Sequence, residues 1–399
     1  MEGYGLLVVQ KYGGTSVGTP QRILRVADRI AARRAAGDRI VAVVSAMGQT
    51  TDHLLSLAHR ITPRPSRREM DMLLTTGERI SMALLSMALE ARQVPAISFT
   101  GSQSGIITDT NHTRARILEI RPIRILPELE RDKVIIVAGF QGVSRDKEIT
   151  TLGRGGSDTT AIALAVGLGA DLCEIYTDVP GVMTADPRHV KTARLLPRVS
   201  WDTMLELAAS GAGVMHTRAV ELAGRRSVPF CVRSAFTKKE GTVVEGKAIE
   251  QGAGIAAVTG VPRVVQVKIT GTAASRDRIC EILESTRDVA GIRGLIDDGT
   301  TLSFVLPTNE DTPIVLEELG GKLNAAGAAL RVEDQLAALT MVGTGVLDVP
   351  QVTSRSVRAL AGVPIRGLSA GSLALTLLVP ENAYGDALRR LHAAFIEAT

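Results

Sequence analysis

The chain has 399 residues, of which 45% are hydrophobic, enough to form more than one buried core. Aromatic residues make up only 3%, so these cores must be built mainly from Ala, Val, Leu and Ile. The formal net charge is only +4, and no basic stripe carries interleaved aromatic residues, which argues against a nucleic-acid-binding protein.

Strands and helices alternate along the chain up to about residue 245. The predicted elements are a strand at 6–10, a helix at 20–36, a strand at 40–44, a helix at 70–91, strands at 96–99 and 133–138, a helix at 158–168, a strand at 172–176, helices at 202–209 and 217–223, and a strand at 228–232. Continuous apolar strands separated by helices favour an α/β fold, a three-layer αβα sandwich with a mostly parallel sheet.

The composition changes to Gly, Lys and Glu at 241–254, where we predict a linker. Beyond it, an order of strand, helix, two strands and helix occurs twice, as an internal repeat of about 70 residues. Strands are predicted at 264–270, 329–332 and 336–342, and helices at 275–287, 313–326, 350–361 and 383–397. We therefore expect three domains, at 1–245, 255–335 and 336–399.

The remaining bulk features predict a soluble, cytoplasmic protein. Cys173, Cys231 and Cys280 lie far apart in apolar runs, which is typical of buried, reduced thiols. The first ten residues are strand-like and lack the charged start and apolar stretch of a signal peptide. No run reaches the ~18 apolar residues of a membrane-spanning helix.

A glycine loop follows the first predicted strand. Lys11, Gly13, Gly14 and Ser16 lie between this strand and the next helix. Glycines let the backbone approach an anion, and a helix N-terminus attracts negative charge. The loop therefore suits a phosphate group, although two glycines after a strand can also form an ordinary tight turn.

A second loop, residues 151–158, contains three glycines within four positions. Arg154 can bind a carboxylate through two parallel hydrogen bonds. Ser157 or Asp158 could simply cap the following helix. A cap requires neither the arginine nor the glycines, so the pattern favours a functional loop.

Three further segments are candidates. Residues 176–188 follow a strand, at the end where parallel sheets bind ligands, although Pro-Gly and Asp-Pro turns also explain them. Gly77 interrupts a helical pattern at a cost of about 1 kcal/mol, and close approach of a ligand is one possible reason. Residues 45–52 form a polar loop after a strand.

These segments together resemble the aspartate kinases of the amino-acid kinase superfamily. The resemblance covers the whole predicted first domain, in order. It is carried by KYGGTSV at 11–17, VVSAMGQTTD at 43–52, MDMLLTTGERIS at 70–81, SFTGSQSGIITD at 98–109, VAGFQG at 137–142, TTLGRGGSDTTA at 150–161 and YTDVPGVMTADPR at 176–188.

The resemblance implies transfer of the γ-phosphate of ATP to the β-carboxylate of L-aspartate. Lys11 would stabilise the transferring phosphate, and Asp158 would orient Lys11. Gly13, Gly14 and Ser16 would donate hydrogen bonds to phosphate oxygens. The acceptor carboxylate is already ionised near pH 7, so this chemistry needs no general base.

The resemblance also assigns the substrate and nucleotide contacts. Arg154 would bind the α-carboxylate of aspartate and Glu78 its α-ammonium group. The substrate pocket would be completed by Ser45, Thr51 and Ser157, and the nucleotide would be held by Thr177, Asp178, Asp186 and Arg188. Mg²⁺ would bridge the nucleotide phosphates, with no protein side chain expected as a direct metal ligand.

The sequence departs from the family at several positions. Met183 stands where these kinases usually carry tyrosine, and Gly213 where many carry lysine, so we expect weaker nucleotide binding. The C-terminal region resembles tandem ACT regulatory domains, which are ferredoxin-like α+β repeats and whose sheets usually pair into a homodimer. Its effector-binding turns are missing at 270–275 and after Pro350. Inhibition by lysine and threonine should be weak, or a different effector should act.

Two alternatives remain open. The chain could phosphorylate another carboxylate, such as N-acetylglutamate, but an acylated substrate offers no ammonium group to Glu78. It could also be a catalytically weak paralogue that senses amino acids as the partner of an active kinase. The intact residues Lys11, Arg154 and Asp158 argue against this second alternative.

Overall fold

The computed structural model describes residues 5–246, 254–271, 276–285, 293–309, 312–347 and 349–398. These residues form two compact units. The first contains residues 5–182, 195–208 and 213–246. The second contains the described residues from 254 onwards together with two earlier segments, 183–194 and 209–212.

The first unit alternates strands and helices. Its elements are β1 (Leu7–Tyr12), α1 (Pro20–Ala35), β2 (Arg39–Val44), α2 (Thr50–Ile61), α3 (Arg67–Glu90), β3 (Ala96–Phe99), β4 (Ile106–Thr108), β5 (Ile117–Ile120), α4 (Ile125–Glu130), β6 (Val134–Ala138), β7 (Gln141–Ser144), β8 (Ile149–Thr151), α5 (Gly156–Leu168), β9 (Leu172–Thr177), β10 (Arg198–Val199), α6 (Trp201–Ala209), α7 (Thr217–Arg226), β11 (Phe230–Ser234) and β12 (Thr242–Val244).

The second unit continues the same numbering. Its elements are β13 (Ala257–Thr270), α8 (Arg276–Ser285), β14 (Arg293–Asp297), β15 (Thr301–Pro307), α9 (Thr312–Ala325), β16 (Ala329–Val342), α10 (Val349–Ala359), β17 (Gly367–Ala370), β18 (Ala374–Pro380) and α11 (Tyr384–His392). A π-helical turn, Ala393–Glu397, extends α11.

The main sheet of the first unit is mostly parallel, and this prediction is confirmed. Its strand order within the described residues is β10-β12-β11-β9-β1-β2-β6-β3, and only the β11–β12 pair is antiparallel. Val8 and Tyr12 pack into the core under α1 and α3. Helix α5 packs on the opposite face against β1, β2 and β9, which completes the three layers.

Helices α1 and α5 show why the local sequence folds as it does. Thr19 caps α1 by accepting a hydrogen bond from the amide of Arg22, and Pro20 occupies the first turn, where its missing N–H costs nothing. All of the first ten residues of α5, 156–165, are buried, which suits the apolar character of residues 161–166. Its N-terminus, which carries the predicted Ser157 and Asp158, is therefore held firmly.

Several elements of the first unit were not predicted from the sequence, among them α2, α4 and β10. Strands β5, β4, β7 and β8 form a separate four-stranded sheet that was not predicted, because segments of three or four residues give little periodic signal. Strand β12 lies at the start of the predicted linker and pairs with both β10 and β11. Residues 247–253 of that linker lie outside the described residues.

The second unit contains an antiparallel sheet, with the order β14-β15-β13-β16-β18-β17 in the described residues. The strands predicted at 329–332 and 336–342 are in fact one strand of 14 residues, β16. It pairs along its length with β13, which is equally long. The predicted repeats therefore share one continuous sheet rather than forming two separate four-stranded sheets.

The segment 183–194 packs within the second unit, although it precedes most of that unit by more than sixty residues. Ala185 and Val190 are buried in the same core as residues of β16 and α11. Thr184 Oγ1 lies 2.9 Å from Nε2 of the fully buried His392. This segment therefore belongs structurally with residues that come much later in the chain.

No helix among the described residues is both long and apolar enough to cross a bilayer.

The cysteine prediction is correct for two of the three thiols. Cys173 and Cys231 are buried and Cys280 is exposed on α8, so the prediction was wrong for Cys280. Burial raises the pKa of the Cys173 and Cys231 thiols, which lowers their reactivity further.

We predict that Ellman's reagent modifies one thiol per native chain and all three after denaturation. Cys280→Ser should abolish the rapid native reaction, because the two buried thiols are both protected from reagent and held as neutral thiols. Cys231→Ser serves as the matched control and should leave the rapid reaction unchanged. Rapid labelling of two or more thiols in the native protein would contradict the described burial.

Candidate active site

A buried ion pair lies at the carboxyl end of β1. Lys11 Nζ is 2.6 Å from Asp158 Oδ1, and both side chains are about a tenth exposed, at 12% and 11%. Lys11 faces α5, because side chains alternate along a strand and its neighbours Gln10 and Tyr12 face the other way. The first turn of α5 supplies Asp158. The two residues predicted to be catalytic are thus in direct contact.

The glycine loop forms a small cradle beside this pair. A Cβ atom added at Gly13 would lie 3.4 Å from Lys11 Nζ and 4.0 Å from Ser16 Oγ, so the absence of a side chain keeps this space open. The Ser16 hydroxyl is buried without a hydrogen-bond partner among the described residues. An ammonium group and an unpaired hydroxyl around an open space suit a phosphoryl group.

Two backbone amides of the glycine loop donate to carbonyls of the protein. The amide of Gly13 donates to the carbonyl of Tyr176 at 3.2 Å, and the amide of Ser16 donates to the carbonyl of Gly13 at 2.8 Å. These two amides are thus committed within the protein, whereas the Ser16 hydroxyl has no partner among the described residues and can donate to a phosphate. A Cβ at Gly14 would lie 2.9 Å from the carbonyl oxygen of Ala46, so Gly14 allows two loops to meet.

Glu78 is a buried carboxylate on α3 with one unsatisfied oxygen. The amide of Ala46 donates to its Oε1 at 3.2 Å, whereas Oε2 is buried without a partner in the described part of the chain. Burial raises the pKa of Glu78 to about 7. A cation placed at Oε2 would satisfy this oxygen and restore the ionised form, so the site suits an ammonium group.

Gly77 has a structural explanation, which replaces the ligand contact considered from the sequence. A Cβ at Gly77 would lie 2.8 Å from the Cβ of Ala46 and 3.4 Å from Cγ2 of Thr50. The glycine therefore lets the loop after β2 pack directly on α3. This packing brings the amide of Ala46 to Glu78.

The loop before α5 is shaped by two glycines in the left-handed region. Gly153 has φ +75° and Gly155 has φ +67°, and a Cβ at Gly155 would lie only 2.1 Å from the Cβ of His216. Arg154, between them, is exposed, so its guanidinium is available to a ligand. Ser157 is buried against Gly139, where a Cβ would lie 2.8 Å from its hydroxyl.

The remaining predicted substrate residues lie on the loop after β2 and the start of α2. Ser45 follows β2 directly, and its amide donates to the carbonyl of Tyr12 at 3.1 Å. Thr51 is half-buried in the first turn of α2. Both are near Ala46 in sequence, and therefore near the backbone that reaches Glu78.

The predicted nucleotide residues fall into two groups. Thr177 and Asp178 lie at the carboxyl end of β9 in the first unit, where the Thr177 hydroxyl donates to Asp178 Oδ1 at 3.2 Å. Asp186 and Arg188 belong to the second unit and form an ion pair of 2.6 Å. The Arg188 guanidinium beside Asp186 holds the pKa of that carboxyl below its usual value.

Several residues that support the site were not predicted. His216 caps α7 by accepting a hydrogen bond from the Arg218 amide at 3.3 Å, and its side chain covers Gly155. Burial lowers its pKa, with a smaller opposing effect from Asp158. The Arg218 guanidinium donates to the carbonyls of Leu152 and Ala115. A histidine before a helical pattern is a weak signal of such a cap.

Asp71 anchors the strand that leads into the loop. It is fully buried and accepts hydrogen bonds from the Thr151 hydroxyl at 2.6 Å and the Thr113 amide at 3.0 Å.

No group of three His, Cys, Asp or Glu side chains arranged to hold a metal ion occurs in the described ranges. The donor set at the glycine loop is cationic and hydroxylic, so it suits phosphate oxygens.

Comparison with known proteins gives consistent matches. Residues 7–234 match the model of the amino acid kinase family, and residues 339–395 match an ACT domain model. Aspartokinase 2 of Bacillus subtilis is 43% identical over 400 residues, which cover 98% of this chain and 97% of that protein. The aspartokinase of Mycolicibacterium smegmatis is also 43% identical, over 98% of this chain and 96% of its own.

A crystal structure of Escherichia coli aspartokinase III in complex with aspartate and ADP aligns with a TM-score of 0.84 and 25% identity, and covers 97% of this chain and 99% of that one. The resemblance found in the sequence motifs is thereby confirmed, as are the amino acid kinase fold and the C-terminal ACT domain. Because the similarity extends along almost the entire length of both sequences, the chain belongs to the aspartokinases of the amino acid kinase family.

Proposed function

We infer that the protein is an ATP-dependent aspartate kinase, which forms 4-phospho-L-aspartate from L-aspartate and ATP. The observation that carries this conclusion is the Lys11–Asp158 pair beside the unsatisfied Ser16 hydroxyl. Family membership and relatives named aspartokinases support the same activity.

We propose that catalysis depends on positioning and electrostatic stabilisation. Lys11 would neutralise the charge that develops on the transferring phosphoryl group, and the Ser16 hydroxyl would donate to one of its oxygens. Asp158 would hold the Lys11 ammonium in place through the 2.6 Å contact. The β-carboxylate of aspartate attacks in its ionised form, so no side chain has to remove a proton.

We propose that Glu78 binds the α-ammonium group of aspartate through its unsatisfied Oε2. Arg154 would bind the α-carboxylate from the exposed loop before α5, since its planar fork suits two parallel hydrogen bonds. The substrate pocket would be completed by Ser45, Thr51 and Ser157. These assignments explain why aspartate, with a free ammonium group, would be preferred over an acylated amino acid.

We propose that the glycine loop contacts the phosphates of ATP. The remainder of the nucleotide would be held by four residues, namely Thr177, Asp178, Asp186 and Arg188. Mg²⁺ bound by the phosphates would neutralise part of their charge. Gly213 has φ +64°, in the left-handed region that favours glycine. This conformation suits the glycine found here.

We propose domains at 1–245, 255–335 and 336–399, and a cytoplasmic homodimer that forms through the ACT-like regions. The ACT domain match at 339–395 supports the last of these domains. We also propose weak or altered feedback by lysine and threonine. The missing turn of the first ACT-like region falls mainly on residues 272–275, outside the described residues, so this proposal rests on sequence.

The activity is tested by trapping the acyl phosphate with hydroxylamine in the presence of ATP. We expect signal with aspartate and none above background with glutamate or N-acetylglutamate. Lys11→Ala should lower the aspartate signal by about 10²–10³-fold, because it removes the main charge at the transferring group. The exposed Lys147→Ala is the control and should retain activity. Folded wild-type protein that gives no signal with any substrate would instead favour the sensing paralogue.

The role of Glu78 predicts a pH dependence of aspartate binding. Only the ionised carboxylate attracts ammonium, so kcat/KM for aspartate should fall about tenfold per pH unit below the Glu78 pKa of about 7. Glu78→Gln should raise KM for aspartate by about tenfold or more, flatten this profile and leave KM for ATP nearly unchanged. Glu69→Gln, an exposed position on the same helix, is the matched control.

Glu78→Gln should stabilise the folded protein, although it should weaken aspartate binding. The folded-state pKa of Glu78 is raised above that of the unfolded chain, so its contribution to stability is present at low pH and is lost as pH rises through about 7. Glu78→Gln should therefore raise the free energy of unfolding at pH 8 by about 1–3 kcal/mol, measured by urea denaturation. A less stable variant at pH 8 would contradict this electrostatic account.

Feedback is tested in the hydroxylamine assay with lysine plus threonine at about 5 mM, above the roughly 1 μM–1 mM range of typical KM values. We expect less than twofold inhibition, because the sequence lacks the turns whose amides would bind an amino-acid effector. Strong inhibition would leave the kinase activity in place and overturn the proposed loss of feedback.

A further inference from the structure

A basic cavity of about 500 Å³ opens between α1 and the carboxyl end of β11. We call it the α1 cavity. Its charged lining consists of six cationic side chains and one carboxylate, namely Arg25, Arg29, Arg33, Arg233, Lys238, Lys239 and Asp28. All of these residues belong to the first unit. A cavity of this volume can hold a small organic or inorganic ligand.

The α1 cavity is separate from the Lys11–Asp158 pair, because the two lie on opposite faces of the main sheet. Gln10 and Tyr176 line the cavity. Gln10 precedes Lys11 in β1, so its side chain points to the other face. Tyr176 is paired with Tyr12 in the parallel register, and the two rings stack at 4.9 Å on that same face. The backbone of the sheet therefore divides the cavity from the phosphate cradle.

Some of the cationic groups have a structural role. The Arg29 guanidinium donates to the carbonyls of Ser234, Ala235 and Thr237, which ties α1 to the end of β11. Arg33 pairs with Asp38 and lies 3.6 Å from the fully buried Glu174. These contacts form the rigid floor of the cavity.

The other cations of the lining are only partly neutralised by the described residues. Arg233 shares the carboxylate of Glu174 with Arg33, since its Nε lies 3.6 Å from Glu174 Oε1, and this Nε has no hydrogen-bond partner among the described residues. Arg25, Lys238 and Lys239 form no ion pair with any residue that the structure describes. The carboxylate in the lining, Asp28, is paired with Arg92. Like charges gathered around one cavity repel each other, so an anionic ligand would relieve this cost.

We propose that the α1 cavity binds a compact polyphosphate anion, which carries several negative charges in a small volume. A phosphoryl group offers up to two charges and three acceptor oxygens, whereas a carboxylate offers one charge and two oxygens. The cavity has no free aromatic face for a base, because the Tyr176 ring is stacked on Tyr12 and covered by Arg29 at 4.5 Å. The recognised group is therefore the phosphate chain rather than a nucleoside.

The test is calorimetric titration of the full-length protein with inorganic tripolyphosphate. The variant R25Q/K238Q/K239Q removes three exposed charges that make no internal ion pair, so it should fold normally. It should bind tripolyphosphate at least tenfold more weakly than wild type and keep its KM for ATP. R60Q/R64Q/R226Q removes three exposed charges outside the cavity and is the matched control, which should bind like wild type.

A second comparison separates the α1 cavity from the catalytic phosphate site. Lys11→Gln should leave tripolyphosphate binding within twofold of wild type, because Lys11 lies on the other face of the sheet. Loss of binding in Lys11→Gln with full binding in R25Q/K238Q/K239Q would overturn the proposal, whatever the kinase activity. Citrate that binds as tightly as tripolyphosphate would overturn the assignment of phosphate as the recognised group.

Discussion

Side chains alternate along β1, and both the Lys11–Asp158 pair and the α1 cavity depend on this alternation. Lys11 projects towards α5 and meets Asp158 there, while Gln10 projects the other way and donates to the buried Glu174 at 2.8 Å. Residues of the two charged regions can thus lie one position apart in sequence and on opposite faces of the sheet. A shift of one residue in the register of β1 would exchange them, and the flanking parallel pairs with β2 and β9 prevent that shift.

Glu78 is held in an electrostatically unfavourable environment, which a bound cation would improve. A carboxylate that is buried with one oxygen unpaired disfavours its own ionised state, and the protein tolerates this because Gly77 lets the Ala46 amide approach from the neighbouring loop. In the proposed role of Glu78, an ammonium group would be favoured both by attraction and by the relief of this unpaired oxygen. The same cost would then favour a substrate with a free amino group over an acylated one.

Local sequence was sufficient to predict the long strands at the centre of the main sheet and most of the longer helices around it, since long apolar strands and amphipathic helices carry strong periodic signals. The contact between Lys11 and Asp158 was implied by family resemblance and not by spacing. The position of His216 over Gly155 could not be predicted, because it depends on how α7 packs against the loop before α5. Pairing between distant residues likewise fused two predicted strands into β16, and no local pattern distinguishes one long strand from two short ones.

The membership of residues 183–194 in the second unit has a consequence for the order of synthesis. Ala185 and Val190 are buried against residues of β16 and α11, and Thr184 contacts His392. At typical translation rates of about 5–20 residues per second, these partners emerge on the order of 10 to 40 s after the segment itself. During that interval the segment has no native core to enter, so its apolar side chains remain accessible to chaperones. The second unit can therefore reach its native packing only after the residues of α11 have emerged from the ribosome.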